Sequence, residues 1–279
     1  MRFLAAAAAS LLAAVSAAAP GRTVPEDAAR DREPAAIPPG ATAGEILSCC
    51  RAMLPDRPVE MRGRITRRNR KGIVSREFAF SLLMDRSKEP AEISAAISDV
   101  SSGEEILKVK VLRPRGGDAS VEICAPGGKP EHPPLSGDIL GTDVTWMDLT
   151  LDFLWWTDAS LEAGRDETVH GIDCLAILAK PPRPAGGVDA ARVWVDRKTG
   201  CMMQAEQLAS DGKGGWKPLR RLWGTRIRKF PAHAVENGVR VETKRWMASA
   251  VEVQRSGGIH RTKISIESVD DEPCGAEGR

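Results

Sequence analysis

The stretch Asp138 to Trp156, D-I-L-G-T-D-V-T-W-M-D-L-T-L-D-F-L-W-W, is where the texture of the chain changes. On both sides of it apolar and polar residues alternate. Here Gly141 breaks the pattern, and Thr145-x-x-Asp148 has the form of a capping box, which predicts one short helix. Trp146, Leu149, Phe153 and Trp156 follow at steps of three, four and three, so on a helix they share one face. Asp148 and Asp152 would back that apolar stripe. Such a helix must lie on something. The stripe reads either as ordinary core that plugs the open side of a sheet or as one wall or lid of a pocket for a greasy ligand.

Upstream, from Val59, the apolar period is two. Val59, Met61 and Ile65 begin it; Phe78 to Met84, Ile93 to Ile97, Leu107 to Val111, and Val121 with Ile123 continue it. Turn signals separate these runs at Asn69–Gly72, Ser87–Pro90, Ser101–Gly103 and Arg115–Asp118. Downstream, Ile172–Ala179, Ala191–Asp196, Met202–Leu208, Trp216–Arg228, Val239–Trp246 and Thr262–Val269 read as further strands. Ala191, Val193 and Val195 face away from Arg192 and Trp194. This gives ten or eleven strands and two helices, the first opened by Thr42-x-x-Glu45 and closed by Pro55. Short loops between successive strands predict an antiparallel meander, and no βαβ alternation appears. The expected fold is mainly β (α+β), a single large curved antiparallel sheet with one apolar face.

Lys and Arg number 40 against 38 Asp and Glu, and 42% of the 279 residues are hydrophobic. The near-balanced charge argues against a dedicated nucleic-acid binder. The run Arg62–Lys71 is locally basic and reads as the solvated edge of a strand and its turn; an anionic headgroup or an acidic partner would also suit it. Residues 1–18 read as a signal peptide, with one Arg, an apolar run from Phe3 to Val15 and a small-residue end. Residues 19–41 read as a disordered linker, 42–270 as the folded domain and 271–279 as a C-terminal tail. The mature chain is expected to be soluble, periplasmic and monomeric.

The six cysteines, at 49, 50, 124, 174, 201 and 274, show no Cys-x-x-Cys spacing, and one or two bridges among them fit an oxidising compartment. The four histidines, His132, His170, His233 and His260, have no partner at metal-ligand spacing. No zincin, nucleophile-elbow, P-loop or dinucleotide motif occurs. Gly212-Lys213-Gly214-Gly215 lacks phosphate-loop spacing and reads as a hairpin tip. The expectation is no catalysis, no metal and no cofactor. The aromatic choice is unusual, with seven Trp, five Phe and no Tyr.

Gly141-Thr142-Asp143-Val144-Thr145-Trp146-Met147-Asp148-Leu149 resembles the Gly-Ser-Asp-Phe-Ser-Tyr-Glu-Asp-Leu signature of bacterial outer-membrane lipoprotein-sorting (LolA-like) proteins. Gly141, Asp143, Asp148 and Leu149 match outright, Thr142 and Thr145 stand for Ser and Trp146 for Tyr, while Val144 and Met147 depart. Val193-Trp194-Val195-Asp196-Arg197-Lys198-Thr199-Gly200, followed by Met202-x-Gln204-Ala205-Glu206, is similar to the family's strand–turn–strand segment. The resemblance implies an unclosed β-barrel with helices covering its concave side. It also implies a periplasmic carrier or binding protein for lipoproteins or lipids, with Trp146, Leu149, Phe153 and Trp156 as candidates to line a hydrophobic cavity. Expected partners are lipoprotein acyl chains or lipid, with envelope membrane proteins as further candidates and no nucleic acid. The competing expectation is a periplasmic regulatory or scaffolding protein that uses the same fold to bind a protein or peptide, for instance at a sheet edge.

Overall fold

The alternating runs pair in the order in which they occur. In the computed structural model, which describes residues 36–55, 58–162, 167–183, 186–236 and 239–270, they form one sheet of 13 strands. The first half is the meander β1 (Val59–Asn69), β2 (Val74–Asp85), β3 (Ala91–Asp99), β4 (Glu105–Arg113) and β5 (Ser120–Cys124). The second half holds β6 (Asp158–Leu161), β7 (Glu167–Val169), β8 (Ile172–Lys180), β9 (Ala190–Asp196), β10 (Met202–Ser210), β11 (Trp216–Glu236), β12 (Val239–Arg255) and β13 (His260–Asp270). The spatial order is β5-β4-β3-β2-β1-β13-β12-β11-β10-β9-β8-β6, with β7 paired to β8. Every pairing is antiparallel. The halves join where the last strand meets the first: Ile65 lies opposite Ile264 and Asn69 opposite His260. The sheet is large and antiparallel, as the strand pattern predicted, and curved without closing, as the resemblance implied.

One face of the sheet carries the core. Met61, Ile65, Phe78, Leu82, Ile93, Ile97, Val109 and Val111 from the first half meet Val193, Val195, Leu222, Val251, Val253, Ile264 and Ile266 from the second. Helix α1 (Ala43–Ala52) covers part of this face through Ile46, Leu47 and Cys50, each at most 1% exposed. Its capping box is complete: Thr42 Oγ1 accepts from the Glu45 amide and the Glu45 carboxylate accepts from the Thr42 amide. Cys50 donates from Sγ to the Gly200 carbonyl at 3.2 Å, tying α1 to the β9–β10 turn. The five described cysteines are free thiols. Burial pushes the Cys50 thiol well up, and the Cys174 thiol to about 11, which keeps both unreactive.

Three sequence expectations are adjusted. The two shortest strands, β6 and β7, have four and three residues and too few apolar positions to show a period. Strand β11 runs on through Pro231 to Glu236, past the end expected at Arg228. Ile37, expected in the linker, packs against the core and its amide donates to the Arg197 carbonyl at 3.1 Å. The expected signal peptide and the C-terminal tail lie outside the described residues.

At Gly63 the β1–β13 register shifts, and the strand has no room for a side chain there. A Cβ would run into the Ser265 carbonyl oxygen and lie 2.8 Å from the Phe80 ring. Gly63→Ala is therefore expected to cost about 1–3 kcal/mol, as overpacking does, read as a lower urea midpoint with an unchanged slope.

Candidate functional site

The segment Asp138–Trp156 roofs the apolar face of the sheet. It begins as a tight turn in which the Thr142 amide donates to the Ile139 carbonyl at 2.9 Å. Leu140 and Gly141 at its centre have φ of 51° and 68°, the left-handed pair that such a turn needs. Thr145 then caps helix α2 (Trp146–Thr150) with the predicted box, Thr145 Oγ1 accepting from the Asp148 amide and the Asp148 carboxylate accepting from the Thr145 amide. The helix is shorter than expected. Leu151 is left-handed, with φ 48°, and ends it; Asp152–Trp155 form a separate 3₁₀ turn. The expected stripe is thus not one helical face. Trp146, Leu149, Phe153 and Trp156 all belong to the same core, but a change of axis at Leu151 divides them.

Of those four, Leu149 borders an apolar pocket between roof and sheet. The roof contributes Ile139, Val144 and Leu149; the sheet contributes residues such as Ile65, Phe80, Ala95 and Ile264. All twelve lining residues are apolar, and the cavity measures about 30 Å³. Trp146, Phe153 and Trp156 are packed away from it. Phe153 and Trp156 meet edge to face at 6.4 Å, and Trp156 donates from Nε1 to Asp152 Oδ2 at 3.2 Å. The sheet side of the pocket was not visible in the sequence. Its residues alternate correctly in each strand, yet only the cross-strand register brings Ile65, Phe80 and Ile97 together.

Charge fixes the roof in place. Asp143, Asp148 and Asp152 are buried, and each meets an arginine from a different strand. Arg67 of β1 approaches Asp143 at 3.9 Å, Arg220 of β11 approaches Asp148 at 3.3 Å, and Arg113 of β4 holds Asp152 at 2.5 Å. Asp143 also accepts from the Thr262 hydroxyl at 2.8 Å, and that hydroxyl accepts from the Asp143 amide at 2.9 Å. Asp148 further accepts from Gln207 Nε2 at 2.7 Å. Burial pushes the Asp148 carboxyl up, opposed by Arg220 and by the Thr145 hydrogen bonds. Arg113 lies over the Trp155 ring, 4.3 Å from its centroid, and burial pulls its guanidinium down against the pull of Asp152. On α1, Arg51 donates to the Leu154 carbonyl, and Arg255 of β12 pairs with Asp138. The sequence had suggested that Asp148 and Asp152 back the stripe as its polar side. They are instead the buried attachment points of the roof.

A second, polar cavity of about 300 Å³ lies on the other face, among Glu167, His170, Arg192, Trp194, Gln204, Glu206 and Arg221. Its charges are matched: Glu206 lies 3.5 Å from Arg192 and 2.6 Å from Arg221, and Trp194 donates to Glu167 at 2.9 Å. Among the described residues no group of His, Cys, Asp and Glu could hold a metal ion, and no helix is long and apolar enough to cross a membrane.

Removing one member of a buried ion pair strands the other. Arg220→Met is expected to lower the unfolding free energy by about 3–5 kcal/mol, while the double change with Asp148→Leu costs less than the sum of the two single changes. A denaturant-based double-mutant cycle measures both.

No family model matches the chain, and no curated protein matches it. Solved structures do. A putative outer membrane lipoprotein-sorting protein domain from Vibrio parahaemolyticus aligns over 84% of this chain and 94% of its own, with a TM-score of 0.65 at 14% identity. A DUF1329 family protein from Desulfovibrio piger aligns over 84% and 93%, with a TM-score of 0.63 at 15% identity. A LolA superfamily protein from Nitrosomonas europaea aligns over 86% and 99%, with a TM-score of 0.57 at 13% identity. At these identities the likeness is one of fold: the chain is built as a LolA-like open barrel.

Proposed function

We propose that the protein is a non-catalytic periplasmic carrier or binding protein for lipids or lipoprotein acyl chains. The observation that carries this reading is the wholly apolar pocket enclosed between the sheet and a charge-held roof. An acyl chain in water costs about 0.8 kcal/mol per exposed CH₂, so its transit needs an enclosed apolar surface. The fold shared with a domain named for lipoprotein sorting supports the same reading. So does the leader-like character of residues 1–18, which argues for a place beyond the inner membrane.

The pocket measures about 30 Å³, and ligand pockets are roughly 300–1,000 Å³. Cargo therefore enters with the roof displaced. Leu149 then touches the cargo directly, and Trp146, Phe153 and Trp156 stiffen the roof behind it. Phe153, 1% exposed, fills core whether or not cargo is present. Phe153→Ala is accordingly expected to cost about 3–5 kcal/mol of stability with or without lipid, as a denaturant titration of both forms would show.

The direct test is uptake of a dansyl-labelled undecanoic acid by the full mature chain. Wild type is expected to bind it with blue-shifted emission. Ala95→Phe, which overfills the pocket from a half-buried sheet position, is expected to weaken binding about tenfold, equivalent to about 1.4 kcal/mol, in a chain that still folds at a stability cost of about 1–3 kcal/mol. A folded wild type that takes up no probe, or an Ala95→Phe variant that binds as well, overturns the reading. Either result would favour a protein or peptide partner, for which the edge strand β6 with its exposed Leu161 is the open place.

A further inference from the structure

Among the described residues, five large hydrophobic side chains are exposed, and four of them share one end of the sheet. Ile73 (61% exposed) and Val74 (45%) sit at the β1–β2 turn, Ile259 (61%) at the β12–β13 turn and Val100 (37%) at the β3–β4 turn. The first two turns are neighbours. Asn69 is paired with His260, and the Asn69 amide donates to the Ile73 carbonyl at 3.0 Å. Both turns stand clear of the body: a Cβ added at Gly72 or Gly257 would meet nothing within 4 Å.

The same turns are basic. Residues 67–76 read R-R-N-R-K-G-I-V-S-R, with five cations and no acid. Arg67 faces Asp143, and Arg76 donates to the Leu140 carbonyl at 3.2 Å. Arg68, Arg70 and Lys71 are exposed. On the adjoining hairpin, Arg261 pairs with Glu252 at 3.1 Å and Arg255 with Asp138. Lys213 and Lys217 add charge at the β10–β11 hairpin, beside Asp211. Besides Asp138, Glu252 and Asp211, the acids Asp99, Glu104 and Glu105 of the β3–β4 turn stand at this end, so the positive zone is confined to the β1–β2 and β12–β13 tips.

We infer that these two hairpin tips form a docking surface for an anionic lipid bilayer. Isoleucines held clear of the body enter the interfacial layer, and beside them Arg68, Arg70 and Lys71, exposed and without an acid partner among the described residues, meet lipid phosphates, so that apolar and electrostatic attraction act together. The net charge of the whole chain, +2, argues against nucleic-acid binding. Neither turn lines the apolar or the polar cavity. The surface borders the roof, since Arg67 and Arg76 of the same hairpin contact the loop Leu140–Asp143 over the pocket. The inference does not depend on cargo uptake: a chain with no cargo would dock equally well.

Sedimentation of the full mature chain with vesicles tests it. With vesicles of phosphatidylcholine containing about one-third phosphatidylglycerol, wild type is expected to bind, and the binding is expected to weaken steeply with added salt. Arg68→Glu, Arg70→Glu and Lys71→Glu together are expected to reduce binding on the order of a hundredfold, and Ile73→Ser with Ile259→Ser about tenfold. All these positions are exposed or at a turn, so melting temperatures should stay at the wild-type value. Ala95→Phe, which tests the cargo pocket, is expected to bind vesicles as wild type does, so docking and uptake can fail separately. Equal binding to neutral vesicles, no binding at low salt, or variants that bind like wild type would overturn the inference.

Discussion

Three buried aspartates, Asp143, Asp148 and Asp152, decide where the roof segment lies. Each is matched to an arginine on a separate strand, β1, β11 and β4, so the segment is registered against both halves of the sheet at once. Apolar contact alone would not do this. Leucine and tryptophan side chains press equally well against many positions of an apolar sheet, whereas a buried carboxylate tolerates one partner and penalises the rest. Such pairs add little net stability, because the desolvation of both ions nearly cancels their attraction. Two nitrogens of Arg113 and one of Arg220 are buried without a hydrogen-bond partner, which lowers the net gain further. The ion pairs therefore set where the roof lies, and the burial of Trp146, Met147, Phe153 and Leu154 supplies most of what holds it.

The sheet was largely legible in the sequence, because a period of two with glycine and asparagine turns is a local signal. Met61 and Ile65 could be assigned to the inner face without knowing their neighbours. The roof was legible only at its start. The capping box at Thr145 formed as read, but nothing near Leu151 marks a left-handed residue, since leucine rarely adopts that conformation. The helix was therefore extended too far. Asp148 and Asp152 were misplaced for a related reason: a carboxylate beside an apolar stripe reads as solvated unless its partner is known, and the partners lie 72 and 39 residues away in sequence. Leu149 could be named as a pocket residue, while Trp146, Phe153 and Trp156 could not be told from it by spacing.

The two faces of the second half divide the work of stability differently. Inside, Ala191, Val193 and Val195 pack under the core. Outside, Trp194 joins Val169, Cys174, Ala176 and Met203 in a small separate cluster, and Arg192 sits between Glu162 and Glu206. The short strand β7 pairs with β8 and contributes Val169 to this outer cluster. The strand–turn–strand segment noted from sequence thus contributes to both faces of the sheet, and none of its residues lines the apolar pocket.

The three charge pairs are unequal in length and in burial. Arg113–Asp152 is the shortest, at 2.5 Å, with both side chains almost fully buried. Arg220–Asp148 is next, at 3.3 Å, reinforced by Gln207. Arg67–Asp143 is the longest, at 3.9 Å, and the Arg67 side chain is 27% exposed, so solvent and salt screen it most. That pair lies at the basic hairpin end of β1, while the tightest lies at the far end of the segment beside Trp155. The Leu140–Asp143 corner is held instead largely through its backbone, Arg76 donating to the Leu140 carbonyl at 3.2 Å and Arg220 to the Asp143 carbonyl at 2.6 Å, beside the Thr262 hydrogen bonds. The left-handed break at Leu151 thus separates a corner fixed by hydrogen bonds to its backbone from an end fixed by the buried Arg113–Asp152 pair, so two different kinds of contact set the direction of the segment on either side of the break.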